Sequence, residues 1–206
     1  MYSKKEELLN AISHGIGIPL ALIGLILLLV YNTQESALST FAILVYGASM
    51  LLLYAASTLY HATTEERKKF RLRKLDHISI YFLIAGTYTP VVLISLVEGE
   101  GWTIFGIVWG LTALGTLLKV FFTGKFELLS VLLYLVMGWI IVFYLDPLKA
   151  AHPEDELLWL FLGGLFYSLG IIFYLLKNVR YAHFIWHLFV LAGSICHFLF
   201  ILIEVI

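Results

Sequence analysis

Polar residues interrupt this chain rarely and in clumps, leaving long uncharged apolar runs from end to end. The runs are Leu8–Gln34, Ser36–Thr64, His77–Val97, Gly101–Leu118, Leu128–Leu145, Leu157–Leu176 and Tyr181–Ile203. A helix needs about 20 apolar residues to cross ~30 Å of hydrocarbon. The pattern therefore predicts seven transmembrane helices, over roughly 11–31, 38–61, 75–97, 102–121, 127–145, 157–177 and 181–204. A soluble helical protein with so large a core would carry charged outer faces, and these runs have none.

Composition strengthens the membrane reading. The 206 residues are 61% hydrophobic and 13% charged, with a mean hydropathy of +0.95, outside the range of soluble domains. Connections are short and no internal repeat stands out, so residues 1–206 read as a single domain. The first run contains His14 and Pro19 and is too long for a signal-peptide core, so it is expected to stay as the first helix. The one cysteine, Cys196, falls mid-span and is expected to pack.

Charge adds an orientation. With seven spans, twelve of the thirteen Lys and Arg residues fall on one side of the membrane and only Lys149 on the other. Basic segments stay cytoplasmic, which predicts an inside N-terminus and an outside C-terminus. Partners are expected to be membrane lipids rather than nucleic acid, and the location an integral position in a bacterial plasma membrane.

Candidate chemistry then emerges from depth. His183 and His187 are four apart, hence on one face of the seventh helix. The second helix ends at His61 and the third begins near Asp76, on the same side of the membrane. His61, Asp76, His183 and His187 thus share one layer although the sequence scatters them. Three imidazoles and a carboxylate suit tetrahedral zinc, with the carboxylate binding directly or holding a water. Histidines inside apolar spans are functional candidates by default. Ser57, one turn before His61, either orients water or substrate or merely bonds to its own helix.

The other histidines read differently. Glu7, Asn10 and His14 follow i, i+3, i+7 spacing. They form either an interfacial polar face, the expectation for His14, or a second layer behind the metal ligands. His77 is rotated about 100° from Asp76 and reads as structural. His197 lies ~15 Å deeper than His187 and reads as an interior histidine. His152, in the outer segment with Asp146, Glu154 and Asp155, is expected to be solvated. Trp102 and Trp159 read as interface anchors. Gly86, Gly163, Gly164 and Gly170 read as close helix contacts, and Pro90 as a kink.

Several of these residues form a known pattern. Glu7-x-x-Asn10-x-x-Ser13-His14, Ser57-x-x-x-His61, Leu75-Asp76-His77-x-x-Ile80, Gly86-Thr-Tyr-Thr-Pro90, and His183-x-x-x-His187 with His197-Phe198 resemble the hemolysin III group of the progestin and adipoQ receptor (PAQR) superfamily. The resemblance spans essentially the whole chain. It implies seven spans with the N-terminus inside, and zinc held by His61, His183 and His187 with Asp76 approaching through water. The pattern is also similar to that of the alkaline ceramidases, which implies zinc-assisted hydrolysis of a lipid amide, with Asp76 positioning or deprotonating water and Ser57 supporting the oxyanion. Rival implications are a lipid-homeostasis sensor or receptor with structural zinc, and a cytolytic pore-former.

Overall fold

The computed structural model describes residues 3–154 and 156–206, and among them all repeating structure is helical. Seven helices are long and apolar enough to cross a membrane: α1 (Lys4–Val30), α2 (Ser39–Ala62), α3 (Glu66–Ser95), α4 (Gly101–Phe122), α5 (Glu127–Ala151), α6 (Leu158–Leu175) and α7 (Ala182–Val205). Helices suit this solvent because each satisfies its own backbone polar groups where no water can.

Two helices begin well before the apolar runs that announce them. Ser3 caps α1: its Oγ accepts from Glu6 N at 3.3 Å, while Glu6 Oε2 accepts from Ser3 N at 2.9 Å. This capping box starts the helix seven residues before the predicted span. Glu6 Oε1 also accepts from Tyr181 N at 2.9 Å, joining the start of α1 to the start of α7. In α3 the basic stretch expected to be a loop is the helix's first turns. Lys69 Nζ donates to Tyr60 O and Thr63 O, both at 3.1 Å, and so closes the C-terminal end of α2.

Sequential neighbours pack side by side, α1 meets α7, and α3 touches α2, α4 and α5. α3 is the best covered span, with 72% of its apolar window buried against 11% for α6. Close packing needs small residues. A Cβ at Gly86 would lie 2.1 Å from Ser49 Oγ, so α3 approaches α2 only because position 86 is glycine. Pro90 has no N–H to donate, and the turn after it widens into a π-type turn, Val91–Ser95, closed by Leu96 N–H to Val91 O at 3.2 Å. The outside is apolar: Phe121, Phe143 and Val30 are each more than two-thirds exposed. Trp102 also keeps an exposed position, whereas Trp159 packs against the core.

The segment after α5 corrects one expectation. His152 is buried, not solvated: Nε2 lies 2.8 Å from Ser95 Oγ, Nδ1 lies 3.6 Å from Glu156 Oε2, and the ring meets Phe200 edge-on. The polar segment after α5 folds back over the end of α3, where this imidazole finds partners. Burial lowers the His152 pKa, with Glu156 opposing the shift. Asp155 lies outside the described residues.

Candidate metal centre

The end of α2 and the start of α7 meet at three histidines. His61 sits in the last turn of α2, and His183 and His187 face it from the first two turns of α7. One nitrogen from each lies within 4.8 Å of the other two. The ring centroids are 5.1 Å (His61–His183), 5.0 Å (His61–His187) and 4.7 Å (His183–His187) apart. Tetrahedral zinc with ~2.0–2.1 Å bonds would hold its ligand nitrogens about 3.3 Å apart. The three side chains therefore need to close by at most about 1.5 Å.

Hydrogen bonds to α1 decide which nitrogens face the centre. His61 Nδ1 is 2.7 Å from Glu7 Oε2, and the other Glu7 oxygen is 3.0 Å from Lys69 Nζ. His187 Nδ1 is 3.1 Å from Asn10 O and 3.0 Å from Ser13 Oγ. A carboxylate and a carbonyl only accept, so Nδ1 is the protonated nitrogen in both rings and Nε2 is the coordinating one. A carboxylate or carbonyl behind a ligating histidine is the usual support of a metal site. The donor set and its supports thus fit zinc.

Of the two readings of the i, i+3, i+7 spacing on α1, Glu7 and Asn10 follow the second-layer one, and Ser13 joins them. Its hydroxyl donates to Asn10 O at 2.9 Å. Sequence spacing alone gave Ser13 no role, because its partner is 174 positions away. His14 departs from its interfacial expectation. It is buried, stacks on His187 with centroids 3.6 Å apart and planes 9° apart, and meets Tyr54 edge-on. Neither of its ring nitrogens makes a hydrogen bond among the described residues.

Asp76 does not belong to the three-histidine group but lies within electrostatic reach of His61 and His183. Asp76 Oδ2 lies 3.3 Å from His77 Nδ1, which also bonds Arg73 O at 2.8 Å. Ser57 is buried one turn before His61, and the bond back to its own helix at this level is made by its neighbour, Thr58 Oγ1 to Tyr54 O at 2.7 Å. The His77 carbonyl accepts from Tyr134 OH at 2.9 Å, and its ring Nε2 lies 3.4 Å from Tyr174 OH. His197 is an interior histidine, with Nε2 bonded to Leu160 O at 3.1 Å.

One space opens at the centre, and a second lies within the bundle. A vestibule of about 830 Å³ between the ends of α1, α2 and α3 is lined by Glu7, Tyr60, His61, Lys69 and Arg73. An apolar cavity of about 100 Å³ lies among α3, α5, α6 and α7. Trp186 and Val190, which flank His187 along α7, line it, and His197 stands at its wall.

The chain is similar to known proteins along nearly its whole length. The haemolysin-III related family model matches residues 2–198. The chain is 44% identical to the hemolysin-3 homolog of Bacillus subtilis (strain 168), covering 98% of this chain and 95% of that protein. It is 42% identical to hemolysin-3 of Bacillus cereus, covering 98% and 93%. The human monocyte to macrophage differentiation factor is a more distant relative, at 27% over 94% of this chain and 82% of that protein. With seven membrane-length helices and a match from end to end, this chain is an integral membrane protein of the haemolysin III family, within the PAQR superfamily.

Proposed function

We propose that His61, His183 and His187 bind one zinc ion and that the centre hydrolyses an amide-linked acyl lipid of the membrane in which the protein sits, a bacterial plasma membrane. The observation that carries this reading is the convergence of three imidazoles, with Nδ1 of His61 held by Glu7 and Nδ1 of His187 held by Asn10 O and Ser13 Oγ. When bound, zinc supplies Lewis-acid polarisation of a carbonyl and activation of water near neutral pH.

The protein's own groups fill the remaining roles. Trp186 and Val190 offer an acyl chain an apolar wall beside His187. The vestibule that reaches His61 gives water access. Asp76 accepts the proton of the attacking water, the usual work of a carboxylate beside a metal. Ser57 donates a hydrogen bond to the carbonyl oxygen as it gains charge. Glu7 holds the His61 ring in register, and its tie to Lys69 fixes the carboxylate in turn.

The test uses purified protein with zinc measured by elemental analysis and a panel of ceramides and other acyl amides. Release of fatty acid that chelator stops and zinc restores is the expected result. Bound zinc without turnover across the panel would replace the enzyme with a zinc-stabilised sensor or receptor. Two of the relatives carry the name hemolysin, and dye release from liposomes without lipid cleavage would favour a lytic activity instead.

A further inference from the structure

A second cluster of charge lies on the same end of the bundle, between α3, α4, α5 and the α6–α7 connection; it meets the vestibule of the metal centre only at Arg73, and its lysines lie outside that vestibule. Lys119, in the last turn of α4, is only 1% exposed. A lysine that merely enriched this side in positive charge would extend its ammonium into water. Lys119 is covered instead, and the charges acting on it are Arg73 and Lys177, both cations. Among the described residues no carboxylate lies within ion-pair distance of it.

The nearby carboxylate is already shared. Glu127 Oε1 accepts from Arg73 Nη2 at 2.7 Å, and Glu127 Oε2 pairs with Lys177 Nζ. Lys74 is also committed, donating to Val120 O at 3.1 Å at the end of α4. Three cations against one carboxylate leave two positive charges uncompensated at a site where one of them is covered. A buried charge without a counter-charge is strongly unfavourable. Arg73 and Lys177 remain partly open, with 34% and 55% of their side chains exposed, so an anion can reach the cluster. Directly alongside, Phe121, Phe126 and Leu128 are each more than 60% exposed, as lipid-facing side chains are.

We propose that Arg73, Lys119 and Lys177 bind the phosphate of an anionic phospholipid, whose acyl chains lie on the Phe121–Phe126–Leu128 surface. Basic pockets between helix ends are the expected seats of anionic headgroups. Arginine engages phosphate with two parallel N–H groups, and lysine acts as a point charge. Bound there, the headgroup joins α4 to α3 and the α6–α7 connection, which the Glu127 pairs already draw to α5.

The experiment compares thermal unfolding of the purified protein in phosphatidylcholine nanodiscs with and without phosphatidylglycerol, with bound lipid counted by native mass spectrometry. Phosphatidylglycerol should raise the midpoint by roughly 3–6 °C and appear as a retained adduct. In Lys119→Met and Lys177→Ala both effects should disappear. Lys119→Met has a second sign: in phosphatidylcholine alone it should be as stable as the parent or more so, because it removes a covered charge that lacks its counter-ion. The control is Lys5→Ala with Lys68→Ala, which removes two charges from the same end outside the cluster. If the control abolishes the phosphatidylglycerol effect as fully as Lys177→Ala, ordinary surface attraction explains it and the site is refuted. If inorganic phosphate in detergent reproduces the shift, the ligand is a free anion and the lipid assignment falls. Zinc content should stay unchanged in all of these variants.

Discussion

A single buried imidazole and a cluster of three stand at opposite ends of this bundle and differ in what their nitrogens do. His152 is a closed knot: one nitrogen meets the Ser95 hydroxyl, the other faces the Glu156 carboxylate, and a Phe200 edge covers the ring. His61 and His187 each engage Nδ1 with a group of α1, and present Nε2 to one another and to His183. Burial alone therefore does not distinguish a metal ligand from a structural histidine. The distinction is whether the protein engages both nitrogens or holds one and aims the other at a shared point.

The largest effects should come from the aimed set. Replacing His61, His183 or His187 with alanine should take zinc from about one ion per chain to near zero, and lower the unfolding midpoint, since the metal binds only the folded state. His152→Ala should leave zinc content unchanged. Elemental analysis across the four variants decides it, and loss of zinc in His152→Ala would erase the contrast between the two ends.

The next effect should come from the groups that hold Nδ1. Glu7→Gln keeps shape but removes the negative charge behind His61. Zinc affinity should weaken by about 10–100-fold, the usual penalty for losing such a support. Ser95→Ala, the matching change behind His152, should not alter affinity. Competition with a chelator of known strength measures both. Equal affinities for parent and Glu7→Gln would mean that the 2.7 Å contact does not tune the site.

A change between the two ends separates packing from metal binding. Gly163→Ala would place a Cβ 2.1 Å from the His197 ring. Overpacking of this kind costs about 1–3 kcal/mol. The unfolding midpoint should fall while zinc per protein stays constant, because His197 does not belong to the three-histidine group. Loss of zinc in this variant would tie the two depths together.

The smallest effect is one of pH. Burial lowers the folded-state pKa of His152, so the folded protein resists protonation there and the unfolded chain does not. Its neutral form is favoured by folding, and stability from this site is lost as pH falls below about 6.5, the unfolded value. The parent should lose slightly more stability than His152→Asn between neutral and mildly acid pH. Thermal unfolding of the two across that range measures the difference. An identical pH dependence would show that the knot does not sense protons.

Much of this was legible in the chain. Seven spans follow from apolar length alone, because the bilayer sets one thickness and every helix must meet it. The convergence of His61 with His183 and His187 was legible as well, since alternating spans return to the same face and depth counts in helical turns. Helix starts were not. Lys4–Glu7 and Glu66–Lys74 carry the charges, and the apolar runs stop short of them. Their helicity depends on the Ser3–Glu6 box and on Lys69 reaching across to α2.

The sequence by itself determined that this is a membrane bundle with a polar layer at one end, because hydrophobic length and residue chemistry are local properties of the chain. Only the tertiary structure decided the duties within that layer. It turned His14 inward to stack on His187, made Asn10 O and Ser13 Oγ the partners of His187 Nδ1, and buried His152 against Ser95 at the far end. Each of these depends on which helices touch and how they are rotated. That rotation is set by close contacts such as Gly86 on Ser49 and Gly163 on His197, whose two members lie tens of residues apart and leave no periodic trace in the sequence.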